Sequence, residues 1–187
     1  MKNNFMSSTI EKLIKTATSL GAFKANIIDV EDISFDASFR KMCASNYCGN
    51  YGKSYQCPPY VGEIDDLIQK VQVFQHVLVY QTISQLEDSY DFEGMMEAGK
   101  IHNILTQKLH RYVKENMVNL NFLVLGAGGC RLCKTCAILE NAPCRNPEWA
   151  VGSLEAYGIN VSKLAESAGM NYINGKDTVT YFGAIIF

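Results

Sequence analysis

The chain predicts an α+β fold: one domain over residues 1–187, a mixed or antiparallel sheet covered by helices, and two cysteine-rich loops. Three observations lead there. Segments with the 3.6-residue apolar period of helices are interspersed with β-rich runs, in no regular βαβ order. Glycine and proline gather around the cysteines, which marks irregular loop. Finally, 48% of the 187 residues are apolar and 19% charged, enough to build a core and far from the balance of a disordered chain. That length is close to the roughly 150 residues of an ordinary domain.

The elements follow in order. Ser7, Ser8 and Thr9 ahead of Glu11 form a helix-start signal, and Ile10, Leu13, Ile14, Ala17 and Leu20 hold helical spacing until Gly21. Ala25 to Val30 and Ile33 to Phe39 are β-rich and lead into the first cysteines, which Gly49, Gly52, Pro58, Pro59 and Gly62 set on a loop. Glu63 to Val73 carries acidic residues in its first turn and Ile64, Leu67, Ile68 and Val71 on one face, so it predicts a helix, with a strand after it over His76 to Ile83. Tyr90 to Val118 lacks proline and repeats Met95, Ala98, Ile101, Leu105, Leu109, Tyr112 and Val113. It predicts a long helix over one face of the sheet, interrupted near Gly94 and Gly99. Asn121 to Leu125 predicts a short buried strand, and Gly126, Ala127, Gly128 and Gly129 deliver the chain to Cys130. Two short helices, Glu148 to Tyr157 and Ser162 to Ala168, precede a hairpin at Tyr172 to Gly175 and a closing strand over Thr178 to Phe187.

Charge and patterning exclude several functions. Lys and Arg total 17 against 19 Asp and Glu, a net charge of -2, so no overall basic field exists to hold a nucleic acid. The apolar positions of Met1 to Leu20 are broken by Glu11, Lys12 and Lys15, leaving no secretory apolar run and pointing to the cytoplasm. The charge-free stretch from Asn116 to Cys130 contains three Asn and falls short of the roughly 18 apolar residues of a membrane span. No repeat or low-complexity linker divides the chain.

Seven cysteines carry the chemistry. They fall into Cys43, Cys48 and Cys57, and then Cys130, Cys133, Cys136 and Cys144. The odd count and a reducing compartment disfavour disulfides, which leaves metal or redox chemistry. The second group reads C-x2-C-x2-C followed seven residues later by Cys144-Arg145-Asn146-Pro147. Consecutive two-residue gaps open the bacterial ferredoxin pattern, although the fourth cysteine there follows sooner and directly precedes proline. One tight loop can aim three thiolates at three irons while a more distant cysteine reaches the fourth, so these four residues suit a [4Fe-4S] cluster. Zinc is the competing ion, but its structural sites pair two C-x2-4-C knuckles across a longer gap.

Charge placement agrees with a cluster. An oxidised [4Fe-4S] core of charge +2 with four thiolates carries a net -2, and reduction adds another negative charge. Three of the four Arg lie beside cysteines: Arg40, Arg131 and Arg145. Lys41, Lys53 and Lys134 join them, and Arg40, Lys53, Arg131 and Arg145 are the candidate residues for holding the cofactor's charge. The glycine run before Cys130 is placed to direct backbone N–H groups at sulfur.

The first group, Cys43-x4-Cys48-x8-Cys57, supplies three thiolates and so leaves one coordination position open. A loop tyrosine or His76 could supply a fourth ligand, and the spacing selects neither. The alternative is that one or two of these cysteines are small buried hydrophobes.

Taken together, Cys43, Cys48, Tyr51-Gly52-Lys53, Cys57-Pro58-Pro59-Tyr60, the second cysteine group through Pro147, and Ser153-Leu154-Glu155-Ala156-Tyr157-Gly158-Ile159-Asn160-Val161 form a distinctive set. From about residue 40 onward the chain resembles the predicted metal-binding proteins catalogued as domain of unknown function 2284. The resemblance implies a cysteine-rich iron–sulfur protein of anaerobic microbes, without an established reaction.

Other features weigh less. Ser153 reads first as a helix cap, and secondarily as the start of an anion- or cluster-facing turn. Trp149 reads as a packing residue. His76, His102 and His110 are dispersed, and the glycine run matches no nucleotide-binding motif. The expected function is electron transfer in the cytoplasm through a [4Fe-4S] cluster, with a second iron–sulfur cluster or other metal at the three-cysteine site and a redox protein as partner. The alternatives are a redox enzyme with an open iron, or an interaction module stabilised by zinc. Neither nucleic acid nor membrane is an expected partner, and the oligomeric state is not legible.

Overall fold

Val77, Leu78, Val79 and Tyr80 are consecutive and fully buried, so the strand that carries them has no solvent face. Because side chains alternate along a strand, such a run needs apolar cover on both sides of its sheet. A computed structural model, which describes residues 2–118 and 120–187, supplies that cover. Its strands are β1 (Lys24–Asp29), β2 (His76–Gln85), β3 (Leu123–Gly126), β4 (Gly152–Ser153) and β5 (Thr178–Ile186). The helices are α1 (Lys2–Ser19), α2 (Phe39–Ala44), α3 (Ile64–Gln72), α4 (Phe92–Asn116) and α5 (Val161–Ser167), with short 3₁₀ turns at 30–32, 137–140 and 155–157.

The strands form one mixed sheet in the order β1-β2-β5-β3-β4. β2 pairs antiparallel with β1 and β5, β5 pairs antiparallel with β3, and β3 runs parallel to β4. Val77 and Val79 pack on one face with Leu67 and Val71 of α3, Leu164 and Ala165 of α5, and Ile186. Leu78 and Tyr80 pack on the other with Leu13 and Ala17 of α1, Leu105, Leu109 and Val113 of α4, and Ile185. Each fully buried aliphatic side chain adds roughly 1.5–3 kcal/mol relative to exposure, so the two apolar layers hold the sheet between them. No helix among the described residues is long and apolar enough to cross a membrane.

The α+β class, the mixed sheet and its helical cover match the sequence-based expectation, and five elements correct it in detail. α1 begins at Lys2, so Ser7 to Thr9 lie inside the helix and do not start it. Ile33 to Phe39 is not a strand. Only Phe35 bridges, to Ile159, and the chain enters α2 at Phe39. Glu148 to Tyr157 is not a helix either, since Gly152 and Ser153 extend along β3 between a turn at 147–149 and the 3₁₀ turn Glu155–Tyr157. The carboxy-terminal strand forms no hairpin with its neighbour: β5 inserts between β2 and β3, which explains why Phe182 to Phe187 are all buried or lack a side chain. The long helix is continuous through Gly94 and Gly99, started by Asp91, whose side chain accepts the Gly94 N–H at 2.8 Å.

Candidate metal centre

Parallel pairing sets the position of the site. β3 and β4 run in the same direction, with Leu125 opposite Gly152 and Gly126 opposite Ser153, so both chains leave the sheet at the same end. The turn after β3 holds Gly128, Gly129 and Cys130, and the turn after β4 holds Glu155. The chain between β3 and β4 contains all four cysteines of the second group, and the loop after α2 folds against it. Ligand sites are common beyond the carboxyl ends of parallel strands, where loops converge.

The two cysteine groups meet through Gly129. A Cβ at that position would lie 3.3 Å from Cys57 Sγ and 3.4 Å from Asn50 Cγ, so the absence of a side chain permits the approach. Two cavities flank this contact. One, of about 260 Å³, is lined by Cys130, Cys133, Cys136 and Cys144 together with Asn50, Lys53 and Arg145. The other, of about 620 Å³, is lined by Cys43, Cys48 and Cys57, with Gly128, Gly129, Ser153 and Glu155 on its walls. Asn50 borders both.

All seven cysteines are free thiols. Cys48 is exposed and Cys57 buried, and the other five are half-buried. Cys43 sits on α2 and not on a loop, because the chain makes a short helix between Phe39 and Ala44 before the glycine-rich turns begin. Burial pushes the Cys57 thiol up to about 11, and the neighbouring Cys48 and Cys43 sulfurs add to the effect. Burial also raises Cys43, opposed by the Arg40 charge, and raises Cys130, opposed by the Leu132 and Val151 backbone N–H groups that donate to its sulfur. Asn146 Nδ2 donates to Cys133 Sγ at 3.3 Å. These are the donors a metal thiolate needs, although they come from Leu132, Val151 and Asn146 and not from the glycine run.

The four candidate cations separate. Lys53 is exposed at the four-cysteine cavity. Arg40 stands near Cys43 and donates from Nη2 to the Gly62 carbonyl at 2.7 Å, while its buried Nε has no partner. Arg145 lines the four-cysteine cavity but pairs with Glu140 and donates to the Thr135 carbonyl at 3.1 Å, so its charge is shared. The Arg131 side chain leaves the thiols and lies against α4, where Nη1 would be 3.5 Å from a Cβ at Gly99 and its charge acts on Tyr181.

His76 is remote from the cysteines, hydrogen-bonded through Nδ1 to Asp29 at 2.7 Å and packed on Phe187. His102 is buried against Tyr80, Tyr181 and Thr82, and burial depresses its pKa to about 4, which keeps it neutral. Trp149 packs beside His110 with Arg111 and Lys114 over its ring. Ser153 Oγ accepts the Ala156 N–H at 3.1 Å, a cap on the 3₁₀ turn. Asn50, Asn146 and Glu155 were not among the candidates. Asn50 and Asn146 each lie two residues from a cysteine, and Glu155 belongs to the Ser153-Leu154-Glu155-Ala156 run, which is the only trace that could have drawn notice to them.

Among the described residues, no three His, Cys, Asp or Glu side chains converge closely enough to hold a single metal ion. The thiols border the two cavities instead. Four thiol donors with amide hydrogen bonds to two of the sulfurs fit a thiolate-bound inorganic core in their chemistry. No curated protein and no solved structure matches the chain. A family model described as predicted metal-binding protein, DUF2284, matches residues 26–187, from the first strand to the last residue and across both cysteine groups. The chain therefore belongs to the DUF2284 family of predicted metal-binding proteins.

Proposed function

We propose that the protein is an iron–sulfur protein that carries single electrons through a [4Fe-4S] cluster on Cys130, Cys133, Cys136 and Cys144, with a second metal centre on Cys43, Cys48 and Cys57. The observation that carries this reading is the common lining of one 260 Å³ cavity by all four cysteines of the second group. Four cysteines around one cavity, three of them in consecutive C-x2-C steps, favour a multi-iron core over one zinc ion, whose structural sites pair two C-x2-4-C knuckles.

Each part of the chain has its task in that reading. The four thiolates bind the cluster, and the Leu132, Val151 and Asn146 donors delocalise charge from sulfur, which favours the reduced state. Lys53 adds positive charge at the open side of the cavity. Cys57 Sγ lies 3.3 Å from where a Cβ on Gly129 would stand, one residue from Cys130, and so gives a short route between the two centres. When bound, the cluster would supply one-electron redox chemistry.

The test is to measure iron, acid-labile sulfide and zinc together on anaerobically purified protein and to follow its visible absorption during reduction. Iron and sulfide in about equal amounts, with absorption that bleaches on reduction, is the expected result. Zinc without sulfide would overturn the proposal.

A further inference from the structure

Three thiolates leave the Cys43, Cys48 and Cys57 centre one donor short of the four that complete a cubane cluster. The 620 Å³ cavity they line has one carboxylate on its wall, Glu155. Its remaining described lining includes no His, Lys or Arg and is otherwise apolar, aromatic, hydroxyl or amide. We infer that Glu155 is the fourth protein ligand of the three-cysteine centre, its carboxylate oxygen binding the iron that the thiolates leave open. This assignment rests on the iron–sulfur reading proposed above.

Topology brings the carboxylate to the thiols. β4 leaves the sheet beside the glycine run that follows β3, and Glu155 opens the turn directly after it. α2, which carries Cys43, packs against that same turn, and the Glu155 and Cys43 charges interact. The Ser153 hydroxyl and the residue's own backbone N–H hydrogen-bond the carboxylate and fix its direction.

Electrostatics point the same way. Glu155 keeps open surface because it faces the cavity, yet enough protein surrounds the carboxyl that burial raises its pKa. No cation among the described residues lies within ion-pair distance of it. A crowded carboxyl without a neighbouring positive charge gains by donating an oxygen lone pair to a Lewis-acidic iron atom. Carboxylate oxygen is a harder donor than thiolate, so iron held this way remains open to exchange with a small oxygen or nitrogen ligand entering the cavity. The sequence set out the three cysteines and the Ser153-Leu154-Glu155-Ala156 run as unrelated features, and the fold faces them across one space.

The experiment compares wild type with Glu155→Gln, which keeps size and removes the charge, and Glu155→Cys, which restores an anionic donor. Each is purified anaerobically as the full chain, and iron, sulfide and electron paramagnetic resonance are measured. Glu155→Gln is expected to lose about one iron per chain and to show the signal of a three-iron cluster when oxidised, and Glu155→Cys to regain that iron with an altered spectrum. Repeating the series in a Cys133→Ser background isolates the three-cysteine centre. Circular dichroism of the metal-free variants distinguishes ligand loss from unfolding. Unchanged iron and spectrum in Glu155→Gln would overturn the Glu155 assignment alone. A wild-type chain with no iron or sulfide on the three cysteines would overturn both that centre and the assignment.

Discussion

The two cysteine cavities share a wall and differ in what else faces the sulfur. Around Cys130, Cys133, Cys136 and Cys144 the space is small, about 260 Å³, with amide donors aimed at sulfur and Arg145 tied to Glu140 across the loop. Around Cys43, Cys48 and Cys57 it is larger, about 620 Å³, with a carboxylate and an aromatic rim that includes Phe39, Tyr51 and Tyr172. The first arrangement suits holding an inorganic core with a full set of thiolates. The second combines an incomplete set with room for a molecule of another kind. The same residue type thus meets different surroundings in the two loops, set by what the tertiary fold places opposite it.

The sharpest way to break the comparison is to remove one thiolate from each side. Cys133→Ser is expected to lose about four irons per chain while the three-cysteine centre persists, and Cys57→Ser to do the reverse, read by iron analysis on each anaerobic variant. If either substitution emptied both sites, they would be one unit.

A smaller effect is expected at the shared wall. Gly129→Val places branched carbon against Cys57 Sγ and Asn50, and overpacking of this kind destabilises by about 1–3 kcal/mol. Thermal unfolding of the metal-free variant measures that loss, and iron content should fall at both centres. A fall at only one would separate them.

The smallest expected effect is on pH. In metal-free protein the folded Cys57 thiol titrates near 11 against an ordinary value of 9.0, so between those values the unfolded chain holds fewer protons. Its contribution to stability is complete below about pH 9 and lost as pH rises toward 11. Denaturant midpoints should decline across that window, and Cys57→Ala should flatten the decline. An unchanged slope would mean that Cys57 is no better shielded than the thiols of the other loop.

Much of the architecture was legible because it rests on local periodicity. α3 and α4 announce themselves through apolar spacing, and α4 carries seven buried side chains on one stripe. β2 was legible as a strand, but its central place was not, since continuous Val77 to Tyr80 fits any element buried on two sides. β5 is legible as the closing strand, but its place between β2 and β3 is not, because strand order depends on partners far away in the chain. Ile33 to Phe39 has strand composition but pairs only at Phe35, a long-range bridge to Ile159 that local pattern does not announce.

The candidate site divides in the same way. Sequence by itself determined the thiol inventory, its two groups and the family, because sulfur ligands are a matter of residue type and short spacing. Only tertiary structure decided that Gly129 abuts Cys57, that Arg131 turns to α4, and that Glu155 faces the three-cysteine cavity. The last of these follows from the parallel pairing of β3 with β4, a contact between residues more than two dozen positions apart that no local pattern encodes.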